Sequence, residues 1–182
     1  MDLSSCALVV VDVQKAWDEP VWGRRNNPDC EANVARLIEE WRRRGRPIVF
    51  VRHDSRVPDS PLAPGRPGND FKDVVSGEPD LLVTKHVNSA FYGTPDLHEW
   101  LRERELTGLV VCGITSDQCV STTVRMGGNL GYRVYLADDA AHTYDRKAPD
   151  GTVVPADEIQ RANAASLHGE FASVVRTADL LG

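Results

Sequence analysis

The chain has 182 residues, 41% apolar and 26% charged, with a formal net charge of −6. That length fits one domain, 1–182, with a substantial core, and the acidic balance argues against nucleic acid or an anionic membrane as partners. No apolar run nears the ~20 residues of a membrane span. The start, "MDLSSCALVVVDV", lacks the basic region of a signal peptide, and Cys6, Cys30, Cys112 and Cys119 form neither a C-x-x-C pair nor a zinc framework; reduced thiols in a cytoplasmic protein are expected.

The first element, "CALVVVDV" (6–13), is a short apolar run rich in β-branched residues and ending in an acid, the pattern of a buried strand. A helix follows in "CEANVARLIEEWRRRG", with Val34, Leu37, Ile38 and Trp41 at helical spacing and Gly45 as its stop. "RPIVFVR" predicts a second strand. Residues 54–77, rich in Pro, Gly, Ser and Asp, predict a long irregular loop. "DLLVTKH" predicts a third strand, and "TPDLHEWLRERE" a helix capped by Thr94 with Pro95 in its first position. "LTGLVVCG" predicts a fourth strand, followed by a helix over 118–129. "YRVYLADDA" reads as a fifth strand, "PADEIQRANAASLHGE" as a helix and "FASVVRT" as a last strand. This alternation predicts a three-layer α/β/α fold with a mostly parallel central sheet of about five to six strands. Ligands gather at the carboxyl ends of strands in such sheets, so Asp12, His53, Lys85, Gly113 and Asp138 are expected on one rim.

The stretch "GITSDQCVSTT" places Cys119 after a turn and before a helix. A helix N-terminus lowers a thiol's pKa, and its backbone N–H groups can hold an oxyanion. Lys85 ends an apolar strand, where an ammonium needs a carboxylate or a task, and Asp12 is the matching acid. Together they would form a nucleophile, a base and a charge stabiliser. The residues alone leave another reading for each: a buried structural cysteine, a lysine that reaches solvent along its stem, and an acid that ends a strand.

"VVVDVQKAW", "VTKHVNSAFYGT" and "GITSDQCVSTTVRMGGNLGYRVYLADDA" resemble the isochorismatase-like cysteine hydrolases, a group that includes nicotinamidases and N-carbamoylsarcosine amidases; the resemblance runs on to "ASLHGEFASVV". It implies an isochorismatase-like fold, a catalytic triad of Asp12, Lys85 and Cys119, a cis peptide at Ile114–Thr115, and an oxyanion hole from the backbone N–H groups of Thr115 and Cys119. It also implies a substrate pocket walled by Trp17, His53, Phe91, Tyr92 and Ile114, and a homo-oligomer, dimer or tetramer. Without the resemblance, the aromatic residues read as core.

The departures narrow the chemistry. Nicotinamidases carry an Asp-x-His metal motif after the second strand, where this chain has "VRHDS", with His53 and Ser55 in those places and Asp54 one position off. No metal and no cofactor are therefore expected. Isochorismatases proper lack the nucleophilic cysteine, so Cys119 favours acyl transfer through a thioester. The leading expectation is a metal-independent hydrolase of a C–N bond, amide or ureide, in a small molecule. The alternatives are a metal-assisted nicotinamidase-like amidase, an isochorismatase-type hydrolase, and an oligomeric binding protein that retains the fold. "SPLAPGRPGNDF" is a candidate lid; His142 and Tyr144 are candidates for the pocket or an interface, and His168 reads as structural.

Overall fold

A computed structural model describes residues 2–181. Six parallel strands form the central sheet in the order β3-β2-β1-β4-β5-β8. They are β1 (Cys6–Val11), β2 (Ile48–His53), β3 (Leu81–Lys85), β4 (Gly108–Ile114), β5 (Arg133–His142) and β8 (Ser173–Val175). The helices are α1 (Cys30–Arg43), α2 (Leu97–Glu103), α3 (Ser121–Asn129), α4 (Ala156–Leu167) and α5 (Thr177–Leu180). β6 (Arg146–Lys147) and β7 (Val153–Val154) form a small antiparallel hairpin outside the sheet. Among the described residues no helix is long and apolar enough to cross a membrane.

The strand period of two builds the core. Along β1, Cys6, Leu8 and Val10 enter one apolar layer with Val34, Leu37 and Trp41 of α1. Ala7, Val9 and Val11 enter the other, with Leu97 and Leu101 of α2, Val124 of α3 and Leu167 of α4. β1 is thus buried on both faces, which explains its unbroken apolar run. The chain runs outward from β1 to β2 and β3, then returns to place β4 on the other side of β1. In such sheets that reversal marks the carboxyl ends of β1 and β4 as the place where ligands bind.

Several boundaries differ from the sequence expectation. α2 starts at Leu97 and is capped by Asp96, whose Oδ1 accepts the Glu99 N–H at 3.0 Å. Thr94 instead exchanges backbone hydrogen bonds with Thr84, and the Thr94–Pro95 peptide is cis. β5 runs on to His142 after a bulge: Val111 pairs with Leu136, but Gly113 pairs with Ala141. The bulge takes Asp138 away from the rim. Gln160 of α4 donates to its carboxylate at 3.1 Å, while Asp139 accepts the Thr177 N–H at the start of α5 at 2.7 Å. His142, paired with Ile114, holds the strand-end position expected for Asp138.

Residues 54–77 contain no strand, but they are not loose. Asn69, 5% exposed, donates to the carbonyls of His53 and Leu62 and to Asp54 Oδ1. Phe71 bridges to Gln14. The candidate lid is thereby stitched to the ends of β1 and β2, because a buried amide must find partners for its donors and acceptor.

Candidate active site

Each group at the centre of the site comes from a strand end. Asp12 follows β1 in a left-handed conformation, φ +51, which Asp tolerates better than most residues. Its N–H donates to Val51 and its carbonyl accepts Trp17 Nε1 at 2.8 Å, so backbone and indole fix the turn. Lys85 ends β3, two strands away. Two strand spacings come to roughly 9–10 Å, which the four-carbon stem of lysine helps to span. Its Nζ reaches Asp12 Oδ2 at 2.5 Å, and both side chains are 0% exposed.

Cys119 is delivered by β4. Gly113 has φ +126, and a Cβ there would lie 2.0 Å from the Val11 carbonyl oxygen, so only glycine lets β4 pass this close to β1. The Ile114–Thr115 peptide is cis. A wide turn of π-helical pitch, Ser116–Val120, then carries Cys119 into α3. Side chains outside the turn hold it. Arg146 donates from Nε to Asp117 Oδ2 at 3.1 Å, Thr143 Oγ1 donates to Asp117 Oδ1 at 2.6 Å, and Asn163 Nδ2 donates to the Ser116 carbonyl at 2.8 Å. Arg146 belongs to the small hairpin, so that hairpin clamps the cysteine turn.

The three groups meet. Lys85 Nζ lies 3.4 Å from Cys119 Sγ and 3.3 Å from His53 Nδ1. Burial opposes the charge on Lys85, but Asp12 and Cys119 outweigh it and hold the ammonium above its ordinary range. Burial, with the Lys85 charge beside it, pushes His53 below the ordinary histidine range, so the ring is neutral and Nδ1 accepts from Lys85. For Cys119 the helix-terminus argument fails. Burial first, and the Asp12 carboxylate second, raise the thiol well above its ordinary value against the pull of Lys85. Both effects favour the protonated thiol beside the Lys85–Asp12 salt bridge.

Asp12, His53 and Cys119 also form a donor set of the kind that holds metals, with one ligand atom from each all within 4.8 Å of one another. The Lys85 ammonium, in contact with all three, occupies the place of a cation there. A metal at this spot would meet a fixed positive charge at close range. Asp54 does not join the set; its carboxylate accepts from Arg52 at 2.8 and 3.1 Å and from Asn69 at 3.1 Å.

Of the residues expected to wall the pocket, His53 and Tyr92 stand near the reacting groups or the groove beside them. Trp17, Phe91 and Ile114 are 7, 8 and 0% exposed and pack in the two apolar layers. Trp17 supports the Asp12 turn from below, and Phe91 stacks on Tyr132 with centroids 5.9 Å apart. His142 and Tyr144 are buried, 0 and 2% exposed, against the Trp17 layer. His168 caps α4 and its Nδ1 accepts the Val174 N–H at 3.1 Å.

Sequence reasoning missed several residues. Asn88 Oδ1 lies 3.9 Å from Cys119 Sγ and borders a groove of about 740 Å³. Gln14 accepts the His53 N–H at 2.9 Å and donates to the carbonyls of His53 and Asn69. Only its place two residues after Asp12 marked it in the sequence. Asp117 and Arg146, the clamp on the cysteine turn, gave no signal because their contact spans 29 residues.

The isochorismatase domain profile matches residues 6–179. The chain is 40% identical over 176 residues to an uncharacterized isochorismatase family protein, YrdC, of Bacillus subtilis, covering 96% of this chain and 94% of that one. It is 35% identical over 179 residues to a streptothricin hydrolase of Streptomyces noursei, covering 94% and 69%. The structure of an isochorismatase-family protein from Chromobacterium violaceum superposes with a TM-score of 0.92 at 42% identity, covering 96% and 91%. The chain belongs to the isochorismatase family of hydrolases.

Proposed function

We propose that the protein hydrolyses a C–N bond, amide or ureide, of a small molecule through a thioester on Cys119, without a metal. The observation that carries this reading is the proton acceptor beside the thiol. Asp12 spends Oδ2 on Lys85, while its Oδ1 is buried and has no hydrogen-bond partner. A buried carboxylate oxygen left open costs free energy and needs a reason. Taking the proton of Cys119 supplies one.

The charge balance supports the same step. Releasing the thiol proton to solvent would leave a net negative charge in a buried site, which the raised thiol pKa expresses. Passing it to Asp12 keeps the Asp12–Lys85–Cys119 group neutral overall, and Lys85 then faces a thiolate instead of a carboxylate. Cys119 Sγ forms a bond to the substrate carbonyl carbon as the proton moves to Asp12. The oxyanion is held by the backbone N–H groups of Thr115 and Cys119. The C–N bond breaks, Asp12 returns the proton to the departing nitrogen, and ammonia or an amine leaves. Water then attacks the thioester with Asp12 as base, releasing the acid and restoring the thiol. The neutral His53 ring, fixed through its backbone by Gln14, keeps Lys85 pointed at the site.

The test is turnover of a panel of small amides and ureides, read as ammonia or amine release, for the wild-type enzyme and Cys119→Ala. The proposal expects release with the wild type and none above background with the variant. Equal release by both would remove the thioester route.

A further inference from the structure

Resting on the amidohydrolase reading above, we infer that the groove beside Cys119 selects substrates bearing an anionic group, with Arg56 as the residue that recognises it. The groove holds about 740 Å³, in the range of small-molecule sites, and meets the nucleophile at Asn88. Its lining includes Arg56, His86, Val87, Asn88, Tyr92 and Met126, and contains no Asp or Glu. In a chain of net charge −6, an acid-free groove with an arginine in its wall runs against the overall field.

The neighbouring charges sharpen the point. Arg52 is taken up by Asp54, and Arg66 by Asp59. Asp12 is committed to Lys85, and His86 Nδ1 donates to the Asp54 carbonyl. Among the described residues Arg56 has no such carboxylate partner, so its five N–H donors are open to a ligand. A guanidinium fork matches a carboxylate or sulfonate in two parallel hydrogen bonds. Val87 and Tyr92, 49% and 69% exposed, and Met126 supply an apolar wall along the way. The substrate class that fits is a small amide whose apolar body ends in an anionic group, the amide at Cys119 and the anion at Arg56.

The experiment reads charge preference at Cys119 without needing the substrate. The probes are two methanethiosulfonates, one ending in sulfonate and one in trimethylammonium. In each, Sγ attacks the sulfenyl sulfur, forms a mixed disulfide and expels methanesulfinate, so only the tail charge differs. Rates at Cys119, located by peptide mapping, are divided by those for a small free thiol. The Lys85–Asp12 pair is the same in every variant, so the effect of Arg56 is the change on mutation. Arg56→Ala should lower the anion-to-cation ratio about threefold to fivefold, Arg56→Lys should keep most of it, and added salt should shrink the difference. An unchanged ratio in Arg56→Ala, or no modification of Cys119 by either probe, would overturn the inference. A second arm compares turnover of amides matched in size, with and without a terminal carboxylate. Preference for the neutral amide also overturns it. If the probes show the Arg56-dependent preference but no amide is hydrolysed, the anion site stands and the amidohydrolase reading falls.

Discussion

Removing one partner of the Lys85–Asp12 pair should damage stability and activity together, and removing both should restore only stability. The pair is wholly buried, with 2.5 Å between Nζ and Oδ2. Lys85→Met strands the Asp12 carboxylate with Oδ1 already unpartnered. Uncompensated charges of this kind cost about 3–5 kcal/mol, against about 5–15 kcal/mol for a whole domain. Asp12→Asn strands the ammonium instead. The double variant Asp12→Asn/Lys85→Met buries no charge and should regain about 2 kcal/mol or more over Lys85→Met. All three should lose at least about 10² in kcat/KM on any accepted substrate. Urea denaturation at pH 7 measures the stabilities. Singles within about 1 kcal/mol of wild type, with a double that is simply additive, would refute the reasoning.

Alkylation of the native protein should label Cys119 before the other thiols, since it is 7% exposed and Cys6, Cys30 and Cys112 are 0% exposed; peptide mapping that finds another cysteine first contradicts this. Arg146→Ala should loosen the turn that carries Cys119, lowering kcat about tenfold with KM little changed and partial rescue by Arg146→Lys, as steady-state kinetics would show. Burial pushes His142 down to about 3, so the folded state stays neutral where the unfolded chain binds a proton; stability is full above pH 6.5 and should fall by about 2 kcal/mol on going to pH 5. His142→Leu should flatten that slope in denaturant titrations, and an unchanged slope would assign it elsewhere. Activity should survive prolonged chelation, and loss restored by added Zn would place a metal on Asp12, His53 and Cys119 after all.

The layers of this fold are legible in the chain because β1 and β4 are buried along their whole length and α1 carries the apolar stripe Val34, Leu37, Ile38 and Trp41, whereas β6, β7 and α5 are too short to show a period. Asp12 and Lys85 are legible for a related reason: chemistry in parallel sheets collects at strand ends, and both stand at the end of an apolar run, while Cys119 lies further on, in the Ser116–Val120 turn after β4. The aromatic residues divide, because an aromatic near a strand end serves equally well as a wall or as a prop: Tyr92 lines the groove, while Trp17 and Phe91 are mostly buried in the apolar layers. Trp17 hydrogen-bonds the Asp12 carbonyl from within the core instead of facing the groove. Asp138 misled because a bulge in β5 leaves no local mark. The thiol's raised pKa depends on burial and on Asp12, neither of which a motif reports. Long-range clamps such as Asn69 on His53 and Leu62 become visible only once the loop is folded.

The central claim, a covalent acyl group on Cys119, is tested most directly by acid-quenched mass spectrometry of the enzyme mixed with a hydrolysed amide. The account predicts a mass increase equal to the acyl group, mapping to the peptide that contains Cys119 and absent from Cys119→Ala. Turnover by Cys119→Ala, or wild-type turnover with the acyl group mapped to another residue, would contradict it.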